Sequence, residues 1–341
     1  MKTVWFAALA AAMCLEGLGR RYLAFIPSGA FYFLKDVILL FGYVQFRPKR
    51  PVIRTLRHLY RGFEVVWVMA LFWTVAEMFN PNQQSFVLAL VGLRSYWLWW
   101  LAPAVIAGVL MDEKEKQRAI IALLVISGIV AAFAAVQFAS PPDSNVNMYS
   151  VWNGEQIYAA DVAVVQSTGR ARVASTFAFV SGFVDFTILV PALMLSLGLD
   201  SASPTVRRGA LIGTFATAAV VPMSGSRSSV VTGAAVLAIM LWASGLIFTR
   251  VGRRVMVGAA VTAVLSVVAF PEAFQGVQSR FADEAETTGR FESMAMLLPP
   301  VAMTSFEYPF MGVGTGMEQN ARVSMGVETR YDTEPEIGRY L

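Results

Sequence analysis

The residues best suited to chemistry in this sequence are arginines set beside glycine and hydroxyl side chains. Arg227 lies in Ser224-Gly225-Ser226-Arg227-Ser228-Ser229, a polar break between two apolar stretches. Arg172 precedes Ala174-Ser175-Thr176-Phe177, and Arg290 belongs to Thr287-Thr288-Gly289-Arg290-Phe291-Glu292. A guanidinium presents a planar fork of donors that meets phosphate bidentately and stays charged when partly dehydrated. The apolar stretch after Ser226 starts a helix whose first N–H groups also favour an anion. Recognition of a phosphate-class anion is the chemistry these spacings point to. Plainer roles stand beside it: a tight interfacial turn at Arg227, helix capping by Ser175 or Thr176, and salt bridges or snorkelling for any single arginine.

Carboxylates gather at Glu328, Asp332, Glu334 and Glu336, interleaved with Arg330 and Arg339. A positioned carboxylate is a competent general base, and a self-neutralising solvated segment is the plainer role. The single Cys14 cannot form a disulfide within its chain, and the single His58 excludes His-cluster zinc sites. No metal site and no cofactor is expected. The run Gly312-Val313-Gly314-Thr315-Gly316 lacks the Gly-Lys-Ser/Thr of a phosphate-binding loop and reads as a tight turn. Lys35-Asp36 and Asp185 lie inside apolar stretches, where a charge is costly, so each is expected to be satisfied within a helix bundle.

The elements that must position these groups follow from composition. The 341 residues are 56% hydrophobic and 15% charged, against roughly 45–50% and about 25% in soluble domains, with net charge +4. Mean hydropathy is +0.58. This excludes a soluble globular enzyme and predicts an all-α polytopic membrane protein. Nine spans are read near 4–18, 31–46, 63–79, 96–110, 119–138, 176–199, 210–223, 230–248 and 255–270. Every second loop is basic, at 47–61, 114–118, 207–208 and 250–254, which puts these loops and the N-terminus in the cytoplasm. The opposite face receives 80–95, 139–175, 224–229 and everything after 270, segments with arginine and no lysine. The organisation expected is a bundle over 1–270 and an ordered, partly helical extracytoplasmic domain over 271–341.

Across most of the chain, five pieces occur in order. They are Leu34-Lys35-Asp36, Gly92-Leu93-Arg94, Arg172 with Ser175-Thr176-Phe177, Ser224-Gly225-Ser226-Arg227-Ser228, and Gly289-Arg290-Phe291 leading to Pro309-Phe310-Met311-Gly312-Val313-Gly314. In order and spacing they resemble the O-antigen ligase and O-antigen polymerase-like membrane proteins of the bacterial inner membrane. The resemblance implies a multi-helix, GT-C-like membrane glycosyltransferase. Its donor would be a polyprenyl-pyrophosphate-linked glycan and its acceptor a glycan or lipid hydroxyl, at the outer face among membrane lipids, with no role for nucleic acid. It implies that Arg172, Arg227, Arg290 and Arg339 hold the pyrophosphate. Arg290 would also neutralise the leaving group, so that the inverting transfer proceeds without metal. Ligases of the family usually carry a histidine after the glycine turn; here Glu334 or Glu336 would take the proton. Relatives continue through further helices where this sequence ends at Leu341, so the resemblance implies either a truncated product or a partial sequence.

The alternative is a transporter or flippase for a lipid-linked or anionic substrate, supported by Lys35, Asp36 and Asp185. Against it, the arginines cluster on one face and no internal repeat is evident. A noncatalytic assembly factor for envelope polysaccharide is a third reading.

Overall fold

The computed structural model describes residues 1–23, 26, 28–46, 64–83, 85–100, 102–152, 155–165, 167–201 and 203–282. The basic segment 47–61 with His58, and all of 283–341, lie outside the described residues. The helices in chain order are α1 (Lys2–Cys14), α2 (Glu16–Tyr22), α3 (Ser28–Gln45), α4 (Glu64–Glu77), α5 (Phe86–Leu93), α6 (Ala102–Leu110), α7 (Glu113–Ala139), α8 (Ala159–Val162), α9 (Val180–Asp200), α10 (Pro204–Ala219), α11 (Arg227–Ala243), α12 (Arg250–Ala269) and α13 (Pro271–Ala282). Two small antiparallel hairpins interrupt them, β1 (Met148–Trp152) with β2 (Glu155–Tyr158), and β3 (Val164–Val165) with β4 (Arg170–Ala171).

The helices start where local chemistry lets them. Asp112 caps α7 by accepting from the Lys114 and Glu115 amides, with Glu113 and Glu115 at the positive end of the helix dipole. Pro204 opens α10, where its missing N–H costs nothing, and Thr249 caps α12. Among the described residues, four stretches are long and apolar enough to cross a bilayer: Phe86–Leu110, Glu113–Ala139, Val180–Asp200 and Gly252–Ala269. Together α1 and α2, bent by 54° at Leu15, make a fifth if they count as one span. Large apolar side chains such as Phe72 (74% exposed), Trp242 (71%) and Val268 (74%) face outward, as suits a surface covered by lipid.

The chain divides into two compact units. In the first, Met1–Gly42 with Val109–Asp283, α9 and α10 lie against each other and α7 packs beside α10 and α1. Close approach is allowed by small residues: Gly198 faces Ala210, and Gly213 faces the Met194 methyl. One end of this unit is tied by charge. Lys116 pairs with Asp200, the Ser201 hydroxyl donates to Glu113 (2.6 Å), and the Thr3 amide donates to Glu115 (2.8 Å). At the other end, an apolar cluster containing Phe138, Val173, Phe177, Phe183, Phe186 and Met223 underlies the loops. In the second unit, Tyr43–Gly108, α4 carries Trp67 into an aromatic group with Trp97 and Trp100.

Several expectations need correction. Residues 86–93 form helix α5 and continue through a π-helical turn, Arg94–Leu98, so the loop read at 80–95 is mostly helical and Arg94 lies within helix. The apolar Phe-Val-Leu-Ala-Leu-Val run, capped by Ser85, explains it. The span read from residue 176 begins at Val180. Ser175 and Thr176 do not cap it, because their hydroxyls donate to the Val130 and Cys14 carbonyls of neighbouring helices. Lys35, by contrast, is satisfied within the bundle as expected, by Glu16 (2.5 Å), which also meets Arg20 (3.4 Å). Asp185 takes an exposed position on α9 rather than a buried one.

Candidate anion-binding site

Arg172 and the Ser224–Arg227 break, 52 positions apart, come together. The Arg172 Nε donates to the Ser224 carbonyl (3.3 Å), and the Val173 amide donates to the Met223 carbonyl (3.2 Å). The break is a short 3₁₀ turn, Val221–Ser224, closed by Gly225 in the left-handed region at φ +60°. Glycine is required there twice over: the backbone conformation strains any other residue, and a Cβ would lie 2.9 Å from Val165 and 3.4 Å from the Arg172 Cγ. The first turn of α11 follows, with Arg227 half-buried and Ser226 as N-cap making no side-chain capping bond.

The serines of the break divide by burial. Ser224 and Ser229 are fully buried and hold the turn: Ser224 donates to Val221 (2.8 Å), and Ser229 donates to Ser226 (2.7 Å). Ser226 and Ser228 share a hydrogen bond (2.8 Å), and Ser228 is exposed. Ser228 is the hydroxyl best placed to reach a ligand; Ser224 and Ser229 are spent on shape.

The β3–β4 hairpin supports Arg172 from the other side. Val165 sits between Gly225 and Gly276, so the hairpin bridges the turn and α13. Arg170 donates to Glu272 (2.5 Å), and the Ser167 and Ser279 hydroxyls share a bond (2.7 Å). The Arg170 guanidinium holds the Glu272 carboxyl below its usual range. Arg170 therefore takes the plainer salt-bridging role weighed for these arginines, while Arg172 lies on the turn leading into Arg227.

Of the other residues read as site residues, Arg290, Glu334, Glu336 and Arg339 lie outside the described residues, as does the glycine turn at 312–316. Among the described residues no group of three or more His, Cys, Asp or Glu could hold a metal ion. Two residues that sequence reasoning did not single out stand behind Arg172. Tyr149 donates to the Arg172 carbonyl (2.6 Å), and Arg21, only 2% exposed, donates to the Ser175 carbonyl (2.8 Å) and to that of Phe177. The signal for Arg21 was a charged residue after Gly17 and Gly19 in an apolar run; Tyr149 carried none. Comparison with family models, with curated proteins and with solved structures finds no match for this chain.

Proposed function

We propose that the chain is a membrane glycosyltransferase that moves a saccharide from a polyprenyl-pyrophosphate carrier onto an acceptor hydroxyl. The supporting observation is the seating of Arg172 on the Ser224–Gly225 turn at the start of α11, which gathers two guanidinium-bearing segments and a helix N-terminus. Pyrophosphate leaves readily once its developing charge is met, so such an arrangement can serve without a metal. The acceptor oxygen attacks the anomeric carbon, the carbon–pyrophosphate bond breaks, and inversion results. Arg290 and Arg339 would complete the phosphate contacts, with Glu334 or Glu336 taking the acceptor's proton. The basic segments 114–118 and 207–208, read as cytoplasmic, support a site on the extracytoplasmic face. The family resemblance and a bacterial inner-membrane location belong to the same proposal.

The test is transfer from a synthetic polyprenyl-pyrophosphate oligosaccharide by the purified chain in detergent with EDTA, beside Arg172→Ala and Arg227→Ala. Product from the parent alone, at an unchanged rate with chelator, is expected. Equal product from all three sinks the proposal. One observation favours the second reading, a transporter: the 54° break at Leu15 sets the Glu16–Lys35 pair, with its carboxylate buried, beside a discontinuous helix. Carrier movement across liposomes without transfer would select it.

A further inference from the structure

Arg21 is buried, yet its described hydrogen bonds go to carbonyls. They run to Ser175 and Phe177, and its Nε finds no partner among the described residues. A buried guanidinium held by carbonyls is costly, so its placement needs a reason. Its two acceptors flank a strained segment. Ser175 has φ +51°, which is unfavourable for a residue with a Cβ, and it is fully buried. Arg21 thus braces the bend that carries the chain from Arg172 into α9.

Tyr149 completes the brace. Its ring lies 5.8 Å from the Arg21 guanidinium carbon, and its hydroxyl donates to the Arg172 carbonyl (2.6 Å). The Arg172 amide donates to the Ala163 carbonyl (2.7 Å), so the backbone of Arg172 is held on both sides. Burial pushes the Tyr149 phenol above its usual range, which keeps it a donor at all ordinary pH. We infer that Arg21 and Tyr149 are positioning residues, which fix the backbone of Arg172 so that its side chain stays on the Ser224 turn. The use made of that placement rests on the functional reading above; the placement itself does not.

The experiment is phenylglyoxal modification of the full chain in detergent, followed peptide by peptide by mass spectrometry. Tyr149→Phe removes one oxygen and keeps the ring; Arg21→Met keeps the bulk and removes the donors. Both are expected to raise the modification rate at Arg172 about fivefold, the factor expected when one buried hydrogen bond no longer opposes local opening. Arg118, 64% exposed in its side chain at the opposite end of α7, serves as the control and should not change. An unchanged rate at Arg172 in Tyr149→Phe overturns the inference, whether or not Arg21→Met folds. Geranylgeranyl diphosphate added to the parent separates the two ideas. Protection of Arg172 supports the functional reading, and lack of protection counts against that reading while leaving the positioning result intact.

Discussion

Replacing Gly17 with alanine should loosen the segment that carries Arg172. A Cβ at residue 17 would lie 2.2 Å from the Phe177 carbonyl carbon, 2.4 Å from its oxygen and 2.5 Å from the Ala178 nitrogen. All three are backbone atoms, which cannot rotate away, so α2 and the 175–178 segment must separate by about 1 Å to reach ordinary contact. That stretches the Leu18 amide bond to Thr176 (3.2 Å) and the Arg21 bond to Ser175 (2.8 Å) past useful range. Overpacking costs about 1–3 kcal/mol and a lost hydrogen bond about 1 kcal/mol, while alanine returns up to about 1 kcal/mol of helix propensity. With two bonds lost, the net is a loss of about 2–4 kcal/mol. Gly128→Ala is the matched control, because among the described residues no atom outside its own stretch of helix backbone lies within 4 Å of its Cβ, and only the propensity gain applies. SDS titration of both variants in mixed micelles, followed by tryptophan fluorescence, reads the difference. If Gly17→Ala unfolds no earlier than Gly128→Ala, the close approach described here is wrong.

Gly225→Ala should cost about 1–2 kcal/mol from its left-handed backbone alone. It should also weaken binding of a diphosphate lipid by displacing Arg172; unaltered binding, measured by calorimetry, would refute the coupling. The Glu272 carboxyl is lowered from the ordinary 4.5 by Arg170, so its contribution is present above that pH and lost as pH falls through the lowered value. Glu272→Gln should flatten the acid limb of the stability profile, and an unchanged limb would count against the pair. Glu16→Ala leaves the Lys35 ammonium, 19% exposed in its side chain, without its carboxylate and should cost about 2–3 kcal/mol. Adding Lys35→Met should recover part of that loss, and strict additivity in thermal unfolding would show that the two charges do not interact.

Much of the architecture was legible because a bilayer imposes a simple rule. Every backbone polar group in hydrocarbon must bond within its own helix, so long apolar runs announce themselves, and the runs at 119–138 and 255–270 correspond closely to helices. The polar break at Ser224–Arg227 was equally plain, since glycine and serine between apolar runs have few other uses. Helix α5 escaped because the aromatic run 96–100 drew the span boundary past it, although Phe86–Leu93 is itself apolar.

What lay beyond the sequence is every choice of partner. Helical spacing says which residues share a face, and it does not say which helix that face meets. Lys35 is adjacent in sequence to Asp36 yet bonds Glu16, and Asp185 points outward where burial was expected. Ser175 and Thr176 have the residue types of a cap, but the irregular segment they occupy lies against α7 and the break after α1, where the Val130 and Cys14 carbonyls accept their hydroxyls. Arg21 reaches across 154 positions to Ser175, and Arg172 across 52 to Ser224. The sequence alone determined that arginines and hydroxyls stand at the ends of apolar helices. Tertiary packing decided which of them meet, because contacts across such separations form only when several helices close on one another at once.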